Sequence, residues 1–558
     1  MTDPDLPPTR SDGAGPGAPG SVPLDASAGL DVILDEIDQV VEPVTESVSM
    51  SPAVGIAVAG GPMITLPDQE RELGPTAKQD SIRTGLSEAG PVALAGLAVN
   101  GAAALVVVAV ARLVEPQAYG AIAQLLGLFF ILSMPGSAVL VGVVRRVTAL
   151  RNAGHGQRVR RWVARVHRLL VVALAIELVV VLLAQGWIAR QLSLPNSGGI
   201  VLILMAAGIW ILLCVDRGLL QAHRRYRALA GNLLLEGSVR TCFVVGLVVL
   251  HMGVAGYAAG VFISEVAATV HAHWLASRTR PDLEPSPRPA ASPMGPGRAG
   301  TSEAARSEPG TDTVLARRKL MADVSAAFVG LALLGLLQNV DVIVLGRLDH
   351  ANVGPYAAIS VASKALVFGA LALGAYLLPE ATIRWNQGGH AVRQLGVTLI
   401  FLAVPAGVLL VIAVFVPRQF LTLVFSAKLS SGAPAFATLV GSMIFLSVTV
   451  LITNYLFGTG SRWIVFLLAA GSMLALGLIG TSHGQIVPTA RADLVAQGVL
   501  ALGMITAFVA IHRRHRRHHW PSGWIRRPGA RRDAPVPPPA PRATGVTLPS
   551  PADRTDTL

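Results

Sequence analysis

From Gly90 onward the chain alternates long apolar stretches with short polar ones. The apolar stretches approach the length of about 20 residues at which an α-helix crosses a hydrocarbon core. Twelve such runs lie near 91 to 112, 119 to 143, 169 to 188, 198 to 215, 229 to 251, 255 to 276, 322 to 346, 353 to 380, 394 to 416, 433 to 457, 463 to 482 and 488 to 511. This pattern predicts an all-α polytopic membrane protein of about twelve transmembrane helices. Residues 1 to 87 differ, being rich in Pro, Gly, Ser and acid. Within them Leu30, Ile33, Leu34, Ile37, Val40, Val41 and Val44 recur at helical spacing and predict a short amphipathic helix. The rest of that segment has too little continuous apolar sequence to build a core. The expected organisation is a disordered acidic N-terminal segment (1–87), an N-lobe of six helices (88–278), a disordered linker (279–316), a C-lobe of six helices (317–512) and a disordered basic tail (513–558).

Composition sharpens this reading. Of all residues 52% are hydrophobic and 14% charged, at a mean hydropathy of +0.57, whereas a soluble domain carries about 25% charged residues. A soluble enzyme of ordinary make-up is excluded. The formal charge of +12 is unevenly spread, because residues 1 to 90 hold 15 acidic and 4 basic side chains. The basic residues also sort by loop. Segments 144–168, 216–228, 277–321, 382–393 and 458–462 hold 23 of them, and the alternate segments hold six: Arg112, Arg190, Arg347, Arg418, Lys428 and Arg491. Cytoplasmic loops are enriched in Lys and Arg, so the first set is expected to be cytoplasmic. Both termini of this multi-pass cell (cytoplasmic) membrane protein then lie inside. Positive charge sorted in this way marks orientation, and nucleic acid is not an expected partner.

Little else in the chain suggests chemistry. Cys214 and Cys242 both fall in apolar runs with no CxxC spacing, so neither a disulfide scaffold nor a zinc site is expected. The first 25 residues lack the basic-then-apolar order of a secretory signal. His512, His515, His518 and His519 stand among arginines and are read as a positive anchor at anionic headgroups rather than as a metal site. There is no Walker loop, metal-protease helix or local Ser/His/Asp motif, and no enzyme activity, cofactor or metal is expected. Asp216, Arg217 and Gly218 are taken as loop, and their likeness to a fragment of the major-facilitator motif is not specific.

An internal repeat divides the membrane region. Tyr119-Gly120-Ala121-Ile122 opens the second run and Tyr356-Ala357-Ala358-Ile359 the eighth, each followed by a basic exit at Arg146 or Arg384. Parallel repeats imply two lobes related by a pseudo-two-fold axis along the membrane normal, a common transporter plan.

Once loops, ends and tails are assigned, two basic residues remain inside the runs, Arg240 and Lys364. An ionisable side chain at the centre of a membrane helix costs about 2.5 to 3.5 kcal/mol on insertion scales and usually faces a bundle interior or an aqueous cavity. Asn232, Glu236 and Arg240 recur at i, i+4 and i+8 and form one polar stripe. A Glu236 to Arg240 pair serving only to hold the helix is the competing reading. Lys364 shares a face with Ser360 and Tyr356 and has no acid within a turn, leaving an acid of another helix, such as Asp341, as its partner. The embedded acids Glu177, Glu236, Glu265 and Asp341 are ion-coupling candidates, since a carboxylate in a dry site can bind a proton or ligate a monovalent cation. Glu265, Thr269 and His273 form a second stripe, and Gln338 and Asp341 share a face.

Three stretches together resemble the polysaccharide-biosynthesis flippases, the Wzx-like branch of the multidrug, oligosaccharidyl-lipid and polysaccharide exporter superfamily. They are LVEPQAYGAIAQLLGLFFILSMPGSAVLVGVVRRVTA (113–149), RGLLQAHRRYRALAGNLLLEGSVR (217–240) and QNVDVIVLGRLDHANVGPYAAISVASKALVFGALALGAYLLPEAT (338–382). The resemblance covers about 88 to 512. It implies two six-helix lobes, alternating access and translocation of a polyprenyl-diphosphate-linked oligosaccharide, a polysaccharide precursor. Asp341 and Lys364 match family positions, and Arg240 a commonly basic one. An anionic diphosphate needs fixed cations or donors once desolvated, so Arg240, Lys364, Tyr356 and Asn232 are the substrate-binding candidates. Expected partners are the lipid-linked oligosaccharide and membrane lipids; an H+ or Na+ gradient and polysaccharide-assembly proteins are further candidates. The alternatives are a multidrug exporter of the same superfamily, which would favour acidic over basic cavity residues, and a non-transporting scaffold of a polysaccharide-assembly complex. A polymerase or ligase fits less well, because every outer loop is short.

Overall fold

The computed structural model describes residues 75–152, 155–194, 198–278, 311–386, 392–458 and 461–518. The expected amphipathic helix at 30–44, the segment before Pro75, most of the linker and the tail beyond His518 lie outside the described residues. Among those described there are thirteen α-helices and no strand. The first six are α1 (Pro75–Leu113), α2 (Pro116–Asn152), α3 (Gly156–Gln191), α4 (Gly198–Ala222), α5 (Tyr226–Val249) and α6 (Gly253–Ser277). They are followed by α7 (Thr311–Leu348), α8 (Val353–Asn386), α9 (Val392–Phe415), the short α10 (Pro417–Val424), α11 (Ala433–Gly458), α12 (Ile464–Gly480) and α13 (Ile486–His518). Eleven spans are long and apolar enough to cross a membrane, and α12 is a shorter apolar helix of 17 residues. With no water in the hydrocarbon to satisfy peptide groups, apolar segments of this length close their hydrogen bonds within a helix.

Each of the twelve predicted runs is one of these helices, and the differences are at the ends. Helices α1, α3 and α7 begin at Pro75, Gly156 and Thr311, upstream of their apolar runs, and α13 continues to His518. An apolar run marks only the part of a helix that meets hydrocarbon, and polar turns extend it beyond. The extension matters most in α4, which runs on to Ala222 and draws Asp216 and Arg217, expected in a loop, into a buried helix face. The predicted loop between the ninth and tenth runs contains α10, with Pro417 in its first turn, and a 3-10 turn over Ala427–Gly432.

The two lobes are wired alike. In the N-lobe α2 packs on α4, α1 on α5 and α3 on α4; in the C-lobe α8 packs on α11, α7 on α12 and α9 on α11. Helix α6 covers α4 and α5, as α13 covers α11 and α12 through Leu494 on Gly441 and Leu500 on Gly471. Small residues set these separations, since apolar association within lipid relies on close packing. A Cβ at Gly260 would lie 2.6 Å from the Val244 backbone nitrogen, so α5 and α6 touch backbone to backbone there.

Between the lobes α2 packs mainly against α7 and also against α8. The ends of α2 and α8 away from the basic loops meet reciprocally, Gly120 against Val353 and Gly354 against the Pro116 carbonyl. Further along, Gly127 lies on Asn339, Gly335 on Ile131, and the Phe130 and Phe368 rings stand 5.7 Å apart. Beyond Pro135 the contacts of α2 turn to its own lobe. Gly136 rests on Trp210 and Cys214, and Arg151 donates to the Ala222 carbonyl at 2.6 Å. An internal proline is a standard site of helix bending, and here it separates the interlobe half of α2 from the intralobe half.

The packing argument has a direct test. Gly260→Leu is expected to abolish the monodisperse size-exclusion peak of the detergent-solubilised protein. Gly246→Leu, on the same helix pair but with open space around it, is expected to keep that peak.

Candidate functional site

Each lobe holds a buried polar cluster, built from different helices in the two halves. In the N-lobe, α5 presents Asn232, Glu236 and Arg240 on one face, α4 supplies Arg217, and α6 supplies Ser264 and Glu265. Arg217 Nη2 donates to Glu236 Oε2 at 2.5 Å, and its Nε donates to Asn232 Oδ1 at 2.8 Å. Arg240 Nη2 donates to Glu236 Oε1 and to Glu265 Oε1, while its Nε reaches Ser264 Oγ at 3.3 Å. Asn232 Nδ2 closes the arrangement on the Ala268 carbonyl at 2.8 Å. Two guanidinium groups and two carboxylates thus alternate, and the set is formally neutral. Glu265 Oε2 and Thr269 Oγ1 have no hydrogen-bond partner among the described residues.

The C-lobe cluster lies nearer the interlobe seam. Lys364 Nζ on α8 donates to Asn339 Oδ1 at 3.2 Å and stands 3.5 Å from Asp341 Oδ1, both residues coming from α7. Ser360 donates to Asp341 Oδ2 at 3.0 Å, and Tyr356, fully buried, lies one turn before it. Asp493 on α13 accepts from Ser442 on α11 at 2.6 Å and from Gln497 at 3.3 Å. Gln497 in turn donates to the Leu337 carbonyl at 3.2 Å. Asn339 connects the cluster to the partner lobe, since its Cβ would be only 3.2 Å from a Cβ on Gly127.

The structure therefore brings the sequence candidates into two groups. Asn232, Glu236, Arg240 and Glu265 come together, and so do Asp341, Lys364 and Tyr356. Glu177 stands apart on α3, its carboxylate against the notch at Gly208 of α4. Arg240 and Lys364, expected as cations of a cavity, are both ion-paired. Three contributors escaped the sequence reading. The sequence places Arg217 in a loop, although Leu219 and Leu220 continue the apolar pattern past it. Asp493 lies in the twelfth run two residues after Arg491, and no local pattern sets it apart. Asn339 is the neighbour of Gln338, and only the rotation of α7 turns it toward Lys364. Among the buried side chains described, Asp216, Glu236, Glu265, Asp341 and Asp493 are acidic, against Arg217 and Lys364 with the partly exposed Arg240.

A third group, not anticipated, lies at the basic-loop end of the N-lobe. Asp216, on α4, has His167 Nε2 of α3 at 3.0 Å from its Oδ1 and His273 Nδ1 of α6 at 3.3 Å from its Oδ2.

No protein-family model matches the chain and no curated protein matches its sequence. Solved structures do. The fold is similar to a multidrug resistance MATE family transporter of the MOP superfamily in its inward-facing conformation, with 14% identity over 74% of this chain and 95% of that one and a TM-score of 0.53. It is also similar to the lipid II flippase MurJ in an inward closed conformation, with 10% identity over 74% of this chain and 86% of that one and a TM-score of 0.54. The chain thus has an all-α, two-lobe fold like that of these two transporters. The resemblance to the Wzx-like branch is carried only by the sequence stretches quoted above.

Glu236 is the hinge of the N-lobe charge set, because both its oxygens hold a guanidinium. Removing one partner of a buried ion pair costs about 3 to 5 kcal/mol, as the remaining charge is left unpaired. Glu236→Gln is therefore expected to lower the melting midpoint of the purified protein well below that of Glu177→Gln, read by intrinsic fluorescence in detergent.

Proposed function

We propose that this chain is a secondary transporter that moves an amphipathic organic compound, neutral or cationic, across the membrane by alternating access of its two lobes, coupled to a cation. The observation that carries the reading is the pair of similarly wired six-helix lobes touching along α2, α7 and α8 and latched at one end. There Arg112 donates to the carbonyls of Leu423 and Phe425, Lys428 donates to Glu115 at 2.8 Å, and the Tyr119 and Phe425 rings meet edge to face. The loop-charge asymmetry assigns this end to the outer face, with the termini cytoplasmic, so the state described is closed to the outside. The inward states of the two similar transporters support the same reading.

The excess of carboxylates over cations in the interior favours a cargo without negative charge, and it favours cation coupling. Glu265 is the best-placed coupling residue, since its Oε2 has no hydrogen bond among the described residues, and Asp341 follows, its Oδ1 facing the Lys364 ammonium at 3.5 Å. Glu236 has both oxygens occupied and acts by holding Arg217 and Arg240, while Glu177 belongs to neither cluster.

A second reading, translocation of a polyprenyl-diphosphate-linked oligosaccharide, draws on the half-buried Arg145 and Arg146 at the basic-loop end of α2 and on the likeness to a lipid II flippase. In that reading Arg240 and Lys364 exchange a carboxylate for the diphosphate, with Tyr356 and Asn232 beside them.

Reconstituted protein under an inward-directed H+ or Na+ gradient separates the two. Gradient-dependent movement of ethidium, lost in Glu265→Gln and Asp341→Asn, is the expected result. Protection of a fluorescent lipid-linked oligosaccharide from a membrane-impermeant quencher, without ethidium movement, supports the second reading instead. Cross-linking Glu115→Cys to Lys428→Cys, in a Cys242→Ala background, is expected to stop transport until a reductant is added. Full transport while cross-linked contradicts rocking about this latch.

A further inference from the structure

The His167, Asp216 and His273 group is not needed by either cargo reading. It joins three helices, its donor atoms all lie within 4.8 Å of one another, and one ligand faces outward, His273 being 48% exposed while Asp216 is 1% exposed. Hydrogen bonding sets the chemistry of His167. Its Nδ1 lies 3.0 Å from the Val163 carbonyl, one turn back on α3, and a carbonyl can only accept. Nδ1 is therefore the protonated nitrogen, and in the neutral ring Nε2 directs a lone pair at Asp216 Oδ1. Two acceptors 3.0 Å apart in a buried site repel unless a proton or a metal ion lies between them, and the neighbouring Arg217 guanidinium is turned to Glu236 and Asn232.

We propose that His167 Nε2, Asp216 and His273 Nδ1 form a binding site for a divalent transition ion of the Zn2+ class. Imidazole and carboxylate donors suit Zn2+ and its neighbours, whereas Mg2+ and Ca2+ prefer all-oxygen sites. With bonds of about 2.0 to 2.1 Å a tetrahedral ion holds its ligand atoms about 3.3 Å apart, close to the 3.0 and 3.3 Å separations from Asp216. The Val163 carbonyl fixes the His167 ring in the way outer partners orient histidine ligands. Three protein ligands leave a fourth position to water or a mobile group on the His273 side. The ion would staple α3, a helix with little of its apolar span buried, to α4 and α6 beside the Arg217 to Glu236 pair.

The test uses the full chain, purified without a polyhistidine tag and stripped with chelator, with His512, His515, His518 and His519 replaced by Ala so that the tail takes no metal. Titration with Zn2+ alone is expected to give one bound equivalent by atomic spectroscopy after dialysis and a saturable rise in melting midpoint. Co2+ is expected to give the visible absorption of a tetrahedral site. His273→Ala, a truncation at a half-exposed position whose folding is checked by its metal-free melting midpoint, should weaken Zn2+ binding at least tenfold, as should Asp216→Asn. No bound equivalent, or equal Zn2+ binding by the parent and His273→Ala, would overturn the site and leave an imidazolium to carboxylate pair.

Discussion

A charge inside hydrocarbon must be neutralised where it stands, and the N-lobe is organised around one chain that does this. Arg217, Glu236, Arg240 and Glu265 alternate in sign across α4, α5 and α6, so each group's desolvation is offset by its neighbours, and no helix of the three can rotate or slide without exposing one of them. Asn232 and Ser264 accept from the Nε of Arg217 and of Arg240 respectively. Such sets bring little net stability compared with apolar packing, but they fix register.

The C-lobe solves the same problem differently. One lysine faces Asp341, with Asp493 held separately by Ser442 and Gln497, so its interior is acid-rich and less completely paired. The wiring is repeated between the lobes while the buried chemistry is not, so one architecture carries a neutral alternating set in one half and an acid-rich set in the other. The glycines along the α2 to α7 seam let the backbones approach, and the contacts named between the lobes fall before Pro135 on α2.

The legibility of the site in the sequence follows the range of the interactions. Stripes within one helix, such as Asn232, Glu236 and Arg240, were visible because helical periodicity is local. Arg217 was not, because whether Asp216 and Arg217 belonged to helix or loop depended on α4 continuing to Ala222, and a helix end is set by what it packs against. Nothing local distinguishes Asn339 from Gln338, since which of two adjacent residues faces a neighbour depends on the rotation of α7 against α2 and α8. The Glu236 to Arg240 pair and an Asp341 partner for Lys364 were open as alternatives in the sequence, whereas the second pairing of Arg240, with Glu265 on α6, needed the packing of α5 on α6.

By itself, the sequence determined the all-α class, the twelve spans and their order, the internal repeat and the sorting of basic loops. Each follows from a local rule, the need of every peptide group in lipid for a partner within its own helix and the preference of Lys and Arg for one side of the membrane. Only the tertiary structure decided which charges meet, where the lobes touch and that two histidines converge on Asp216. Those outcomes depend on helix rotation and separation, which are set by side-chain packing between segments tens to hundreds of residues apart and leave no periodic trace along the chain.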